Sequence, residues 1–260
     1  MRAVAHRQYE AVAVPPFTLF FHDTDPLPYF NYAIPDGPGA ASFDLEAPLA
    51  RLEEEFHARR RVPRFEYVEA CAPGLDEALE ARGFALESRA QLMVCPRGQE
   101  RAAKAVSGLD VTTLDAATPL VDFAAFLDVQ RSAFGFPSGR SPSDEEALNL
   151  RETLGDGFAF LGRIAGEPVA TAMIQPAHDG LTELVGVATL EAFRRRGIGG
   201  FLSWAAVRAA FARGVSLAFL SAADARAGRV YEAAGFSSAG HSLFYRRPES
   251  PEPPRPSGGT

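Results

Sequence analysis

The stretch Val187-Ala188-Thr189-Leu190-Glu191-Ala192-Phe193-Arg194-Arg195-Arg196-Gly197-Ile198-Gly199 decides how this chain is read. A β-rich apolar run ends there, three arginines and two spaced glycines follow, and a long apolar helix begins at once. That order builds an anion cradle. Glycine lets the backbone turn tightly and approach a ligand closely, and successive free N–H groups form a concave nest. The start of the helix adds unsatisfied donors and the positive end of its dipole. Arginines beside it can grip phosphate oxygens with two N–H groups at once. A pyrophosphate-bearing cofactor is the natural occupant.

Two familiar phosphate loops are excluded, since neither G-x-x-x-x-G-K-[ST] nor G-x-G-x-x-G occurs. Downstream, a helical segment of about Gly200 to Arg213 leads to the strand-like run Val215 to Ser221. A short helix then carries Arg229-Val230-Tyr231-Glu232-Ala233-Ala234-Gly235-Phe236. The pattern R-x-x-G-x-G at Arg194, Gly197 and Gly199 resembles the coenzyme A loop of the GNAT acyltransferase superfamily. Tyr231 with Gly235-Phe236 resembles that superfamily's Y-x-x-x-G-F signature. The resemblance covers roughly residues 108–247. It implies an α/β fold with a mixed sheet flanked by helices, and acetyl-CoA as cosubstrate.

Composition is that of a soluble globular protein, with 47% hydrophobic and 23% charged residues in a chain of 260. A net charge of −7 argues against a nucleic-acid-binding surface overall. Lys104 is the only lysine, and this reads as compositional bias toward arginine. The N-terminus shows no continuous apolar signal region, and no run is long enough to span a bilayer. Cys71 and Cys95 are far apart and form no C-x-x-C, so neither a metal site nor a disulfide framework is implied. The expectation is a cytoplasmic monomer or homodimer without nucleic-acid or membrane partners.

Hydrophobic spacing predicts helices over Leu45–Arg60, Gly74–Arg82 and Leu120–Phe134. A capping box at Ser143 and Glu146 opens a further helix. Strands are expected at Phe65–Val68, Phe84–Cys95, Phe158–Ile164, Val169–Gln175 and Thr182–Leu190. The polar run 98–107 reads as a linker between a domain at 1–97 and a catalytic domain at 108–247, and the Pro- and Ser-rich stretch 248–260 as a disordered tail.

The two halves also repeat. Leu79-Glu80-Ala81-Arg82-Gly83-Phe84, with Met93 nine residues on, parallels Tyr231-Glu232-Ala233-Ala234-Gly235-Phe236 with Tyr245 nine residues on. The helix and strand before each block correspond as well. The N-terminal half is therefore read as a degenerate GNAT-like unit, since Pro35–Asp44 stands where a cradle would be and Leu79 stands in place of Tyr231. The competing reading is a chance match between two common helix–glycine–strand endings.

Thioester-to-amine transfer needs an oriented donor, an oxyanion partner, a neutral amine and a protonated leaving thiolate. By resemblance, backbone groups of Val187, Ala188 and Thr189 hold the pantetheine arm. Arg194, Arg195 and Arg196 with Gly197, Ile198, Gly199 and Gly200 wrap the pyrophosphate. Tyr231 matches the family tyrosine that protonates the departing sulfur; its alternative role is a packed aromatic beneath the coenzyme. Glu183 is the candidate general base, placed on the same strand, and reads equally as a surface carboxylate at the strand start. His178, Asp179 and His241 are weaker candidates, and Asp224 reads as a helix N-cap. Phe134 and Phe136 are candidates for an apolar wall of the acceptor pocket, or simple loop anchors. The function implied is N-acetyl transfer to a small-molecule or peptide amine. A non-catalytic acyl-CoA-binding or scaffold protein is the alternative, and a fold that holds some other phosphorylated ligand is a third.

Overall fold

A computed structural model describes residues 9–22, 28–135 and 140–248. Phe136 and the tail beyond Pro248 lie outside the described residues. The described residues form two compact units: Ala90–His241, and Tyr9–Arg89 together with 242–248. Both divisions fall inside strands, β5 (Ala85–Pro96) and β11 (Ser237–Arg246). Each of these strands ends in the unit whose sheet its last residues complete.

In the larger unit the sheet order is β5-β10-β9-β8-β7-β6. Here β6 is Leu109–Leu114, β7 Phe158–Ile164, β8 Glu167–Ile174, β9 Leu181–Thr189 and β10 Leu217–Ala222. Neighbours from β6 to β9 run antiparallel, β9 and β10 run parallel, and β10 pairs antiparallel with the end of β5. Strand alternation supplies a core on each face. Ala159 and Leu161 of β7 pack with α3 (Leu120–Phe134) and α4 (Asp144–Leu154) through Phe123, Phe126 and Leu154. Phe158 and Phe160 pack the other way, in the cluster that buries Leu202, Ala206 and Ala210 of α5 (Ile198–Ala212). The capping box at α4 is present: Ser143 Oγ accepts from the Glu146 amide, and the Ser143 amide donates 2.7 Å to the Glu146 carboxylate. That amide and Arg131 hold the Glu146 carboxyl down at about 2.

The smaller unit has the sheet order β1-β2-β3-β4-β11, with β1 Glu10–Val14, β2 Phe17–Phe21, β3 Asn31–Pro35 and β4 Arg64–Val68. Three antiparallel strands lead into a parallel β3–β4 pair joined through α1 (Glu46–Ala58). The parallel pair β9–β10 is joined in the same way through α5. Edge-on aromatic contacts knit its core, Phe17 on Phe65 at 5.0 Å and Phe21 on Phe56 at 4.8 Å.

The repeat seen in the sequence also exists in the backbone. Helix α2 (Leu75–Glu80) ends with Phe84 N–H donating to Leu79 O and Gly83 N–H to Glu80 O. Helix α6 (Ala225–Ala234) ends with Phe236 N–H donating to Tyr231 O and Gly235 N–H to Glu232 O. Both are Schellman ends with a left-handed glycine followed by a buried phenylalanine. Taken alone, that similarity could be a chance match of endings, but the same β–α–β crossover precedes each. The starts of the crossover helices differ. Helix α1 follows a buried Leu45, and its Glu46 amide already donates 3.1 Å to the Asp44 carboxylate, so a negative side chain of the chain itself meets the start of this helix.

Candidate functional site

Strand β9, whose last residue Thr189 reaches a cavity at the start of α5, has an unpaired main-chain edge because its neighbour leaves it early. The β9–β10 ladder runs only from Leu181 with Leu217 to Glu183 with Phe219, while β10 stays paired with β5 along its whole length. Beyond Glu183, β9 has no ladder partner on that side among the described residues. On its other side β9 bulges. Between the pairs Ala188–Thr171 and Val185–Met173, β9 carries one residue more than β8. A bulge takes a carbonyl out of the ladder, and here two side chains satisfy it: Gln130 Nε2 and Thr171 Oγ1 donate to Gly186 O at 3.1 and 2.9 Å. Gln130→Leu and Thr171→Val should each lower stability by about 1 kcal/mol. The double variant should lose more than the sum, because only then is the carbonyl left unpaired. Urea denaturation midpoints of the four proteins would show this, and strict additivity would mean that the two donors do not share a load.

After β9 the chain makes a short 3-10 turn, Glu191–Phe193, and reaches Gly197 in the left-handed region at φ 81°. Gly197 is the N-cap of α5 and has no side chain to cap with, and the first bond within the helix is Phe201 N–H to Gly197 O at 3.0 Å. The amides of Ile198, Gly199 and Gly200 are thus left without intrahelical partners. The three arginines do different work. Arg194 donates to Thr189 O and Ala133 O, both at 3.1 Å, and so ties the end of β9 to the end of α3. Arg196 donates to Ala192 O and lies 5.0 Å over the Phe193 ring. Arg195 takes a left-handed backbone at φ 65°.

These groups open onto a cavity of about 910 Å³. Thr189, Arg194, Arg195, Arg196, Gly197, Ile198, Gly199 and Gly200 line it, together with Val230 and Ala233 of α6. Its walls carry five cations, including Lys104 and Arg226, and one carboxylate, that of Asp224. Asp224 accepts 2.7 Å from the Ala227 amide as the N-cap of α6. In a chain of net charge −7 this is a concentrated positive site. Uncapped amides, a surplus of cations and ample volume fit a large polyphosphorylated ligand.

The remaining candidates lie elsewhere. Val187 and Ala188 do not line the cavity, though a Cβ on Gly199, which does, would touch Val187 Cγ1 at 3.9 Å. Tyr231 is not on the cavity wall; it packs edge-on to Phe236 at 6.0 Å, and burial pushes its phenol up to about 12. Glu183 sits where β9 and β10 are still paired, at the closed end of the splay. His178 and Asp179 form an exposed pair at 3.2 Å in the preceding turn, and His241 is half-buried on β11. Phe134 ends α3 with 54% of its surface exposed. Sequence reasoning missed one wall of the cavity, Ala102–Val106, which it read as linker. It also missed Gln130, whose partner lies 56 positions away. Among the described residues no group of three His, Cys, Asp or Glu could hold a metal ion, and no helix is long and apolar enough to cross a membrane.

Residues 123–236 match the sequence model of the Acetyltransferase (GNAT) family. A GCN5-related N-acetyltransferase from Kribbella flavida is similar over 96% of this chain and 93% of its own, at 25% identity and a TM-score of 0.80. A GCN5-related N-acetyltransferase from Sphaerobacter thermophilus shares the fold over 90% of this chain and 81% of its own, at 19% identity and a TM-score of 0.66. A tandem GNAT protein from the clavulanic acid biosynthesis pathway does so over 90% and 79%, at 15% identity and a TM-score of 0.64. No curated protein matches the sequence.

Proposed function

We propose that this protein is an acetyl-CoA-dependent N-acetyltransferase that moves an acetyl group directly to the primary amine of a small molecule or peptide within a ternary complex. The observation that carries this reading is the cavity at the start of α5, where uncapped amides meet a surplus of positive charge. Acetyl-CoA, when bound, supplies an acyl group activated as a thioester. The amides of Ile198, Gly199 and Gly200, with Arg195, would hold its pyrophosphate. The unpaired edge of β9 from Val187 to Thr189 would hold the pantetheine arm by main-chain bonds. Tyr231, protonated throughout the neutral range with its phenol at about 12, would deliver a proton to the leaving sulfur. Glu183, directly or through water, would take the proton from the amine, and Phe134 would face the acceptor. The smaller unit, whose α1 start is already met by the Asp44 carboxylate, would leave the coenzyme to the larger unit.

A second reading, a non-catalytic acyl-CoA binder, is favoured by one observation: neither Tyr231 nor Glu183 lines the cavity. Turnover separates the two. With a broad panel of amines and thiol detection, wild type should release CoA, and Tyr231→Phe should lower kcat about a hundredfold with the KM for acetyl-CoA little changed. Unchanged kcat would assign Tyr231 to packing beside Phe236. A wild type that binds acetyl-CoA but turns over none of the amines would favour the binder.

A further inference from the structure

One wall of the cavity comes from a segment that precedes the GNAT match. Residues 97–106 do not hang free: they form a strap fastened along the larger unit. Arg97 donates to Val215 O at 2.8 Å and to Phe211 O at 2.7 Å, which satisfies carbonyls at the end of α5. Arg101 N–H donates to Ala234 O at 2.9 Å. Val106 packs against the main core cluster, and its carbonyl accepts from Leu109 N–H at 3.2 Å. Between those fastenings, Ala102–Val106 lie along the cavity.

Lys104, the single lysine of the chain, is exposed at the centre of that stretch. Arg226, in the first turn of α6, lines the same cavity. Arg194 and Arg196 are spent on backbone carbonyls, whereas Lys104 and Arg226 are committed to no ion pair or hydrogen bond among the described residues. With a pyrophosphate at the amides of α5, these two cations remain on the same cavity, one on the strap and one on α6. They match a second phosphoryl group, placed apart from the first on the same ligand.

We infer that Lys104, with Arg226 of the same cavity, binds the 3′-phosphate of a coenzyme A donor, so that a strap outside the GNAT match sets the preference for 3′-phosphorylated donors. The inference rests on the acyl-CoA reading of the cavity. Calorimetric titration of the full chain with CoA and with 3′-dephospho-CoA tests it, using wild type, Lys104→Ala and Lys104→Arg. Wild type should bind CoA about tenfold or more tightly than the dephospho form, as expected for loss of a charge-assisted contact. Lys104→Ala should weaken CoA by a similar factor and leave dephospho-CoA unchanged, while Lys104→Arg keeps the preference. Equal affinities in wild type, or equal losses for both ligands in Lys104→Ala, would overturn the role of the strap while leaving the cavity a coenzyme site. A wild type that bound neither ligand would overturn the coenzyme reading itself.

Discussion

Gly197→Glu should abolish the stabilisation of this protein by acetyl-CoA. At roughly 100 times its dissociation constant, a ligand adds about 2.7 kcal/mol to the folded state. For a protein of this size that raises the melting temperature by roughly 5–10 °C. The substitution acts on the site in two ways. A side chain at φ 81° is strained, which by itself costs about 1 kcal/mol. A Cβ at Gly197 meets only Val106 Cγ2, at 3.9 Å, so the rest of the side chain has room to extend and carries its carboxylate into the anion site. Gly197→Ala separates the effects, because it brings the strain without the charge. Thermal-shift titrations with acetyl-CoA, free CoA and ATP should show a large shift for both CoA forms in wild type, a reduced one in Gly197→Ala and none in Gly197→Glu. A Glu variant that responds like wild type would remove the pyrophosphate from the start of α5.

Gly235→Ala should be the most destabilising small substitution in the larger unit. The residue lies at φ 107° at the end of α6, where a β-carbon is strained. Conformation is only part of the cost. A Cβ there would collide with Gln99 O and sit 2.8 Å from Glu100 Cα and 2.9 Å from Arg101 N, all backbone atoms of the strap. Backbone cannot swing aside as a flexible side chain can, so strain and overpacking add to about 2–4 kcal/mol. Gly214 supplies the internal control. It is the left-handed residue after α5 at φ 100°, and a β-carbon there would have no neighbour within 4 Å. Gly214→Ala should therefore cost only about 1 kcal/mol. Urea denaturation of both variants measures the difference, which reports the close approach of the strap. Equal losses would mean that the strap yields without cost.

The glycine in the Y-x-x-x-G-F signature thus has two reasons to be glycine, and only one is local. A helix ending in a left-handed residue before a buried phenylalanine is readable within six positions. That the chain 134 residues upstream runs directly over it is not. Lys104 makes the same point. As the single lysine in an arginine-rich chain it reads as composition, and only its position on the cavity wall gives it a role. Tyr231 illustrates the reverse case. The motif marks it plainly, yet the fold packs it beside Phe236 and off the cavity wall, so its part in proton transfer is left to kinetics.

The sequence by itself determined whatever depends on neighbours along the chain. The span of α3, the capping box at Ser143, the glycine turn into α5 and the paired Schellman ends all follow from side-chain period, local hydrogen bonding and backbone sterics over a few residues. Tertiary structure alone decided which strand completes each sheet, with the end of β5 beside β10 and the end of β11 beside β4. It also decided where β9 parts from β10, which side chains satisfy the bulge carbonyl of Gly186, and what covers the cavity. These outcomes pair groups far apart in sequence. Any apolar strand of suitable length can occupy an open sheet edge, and a carbonyl accepts from whichever donor the fold brings within reach.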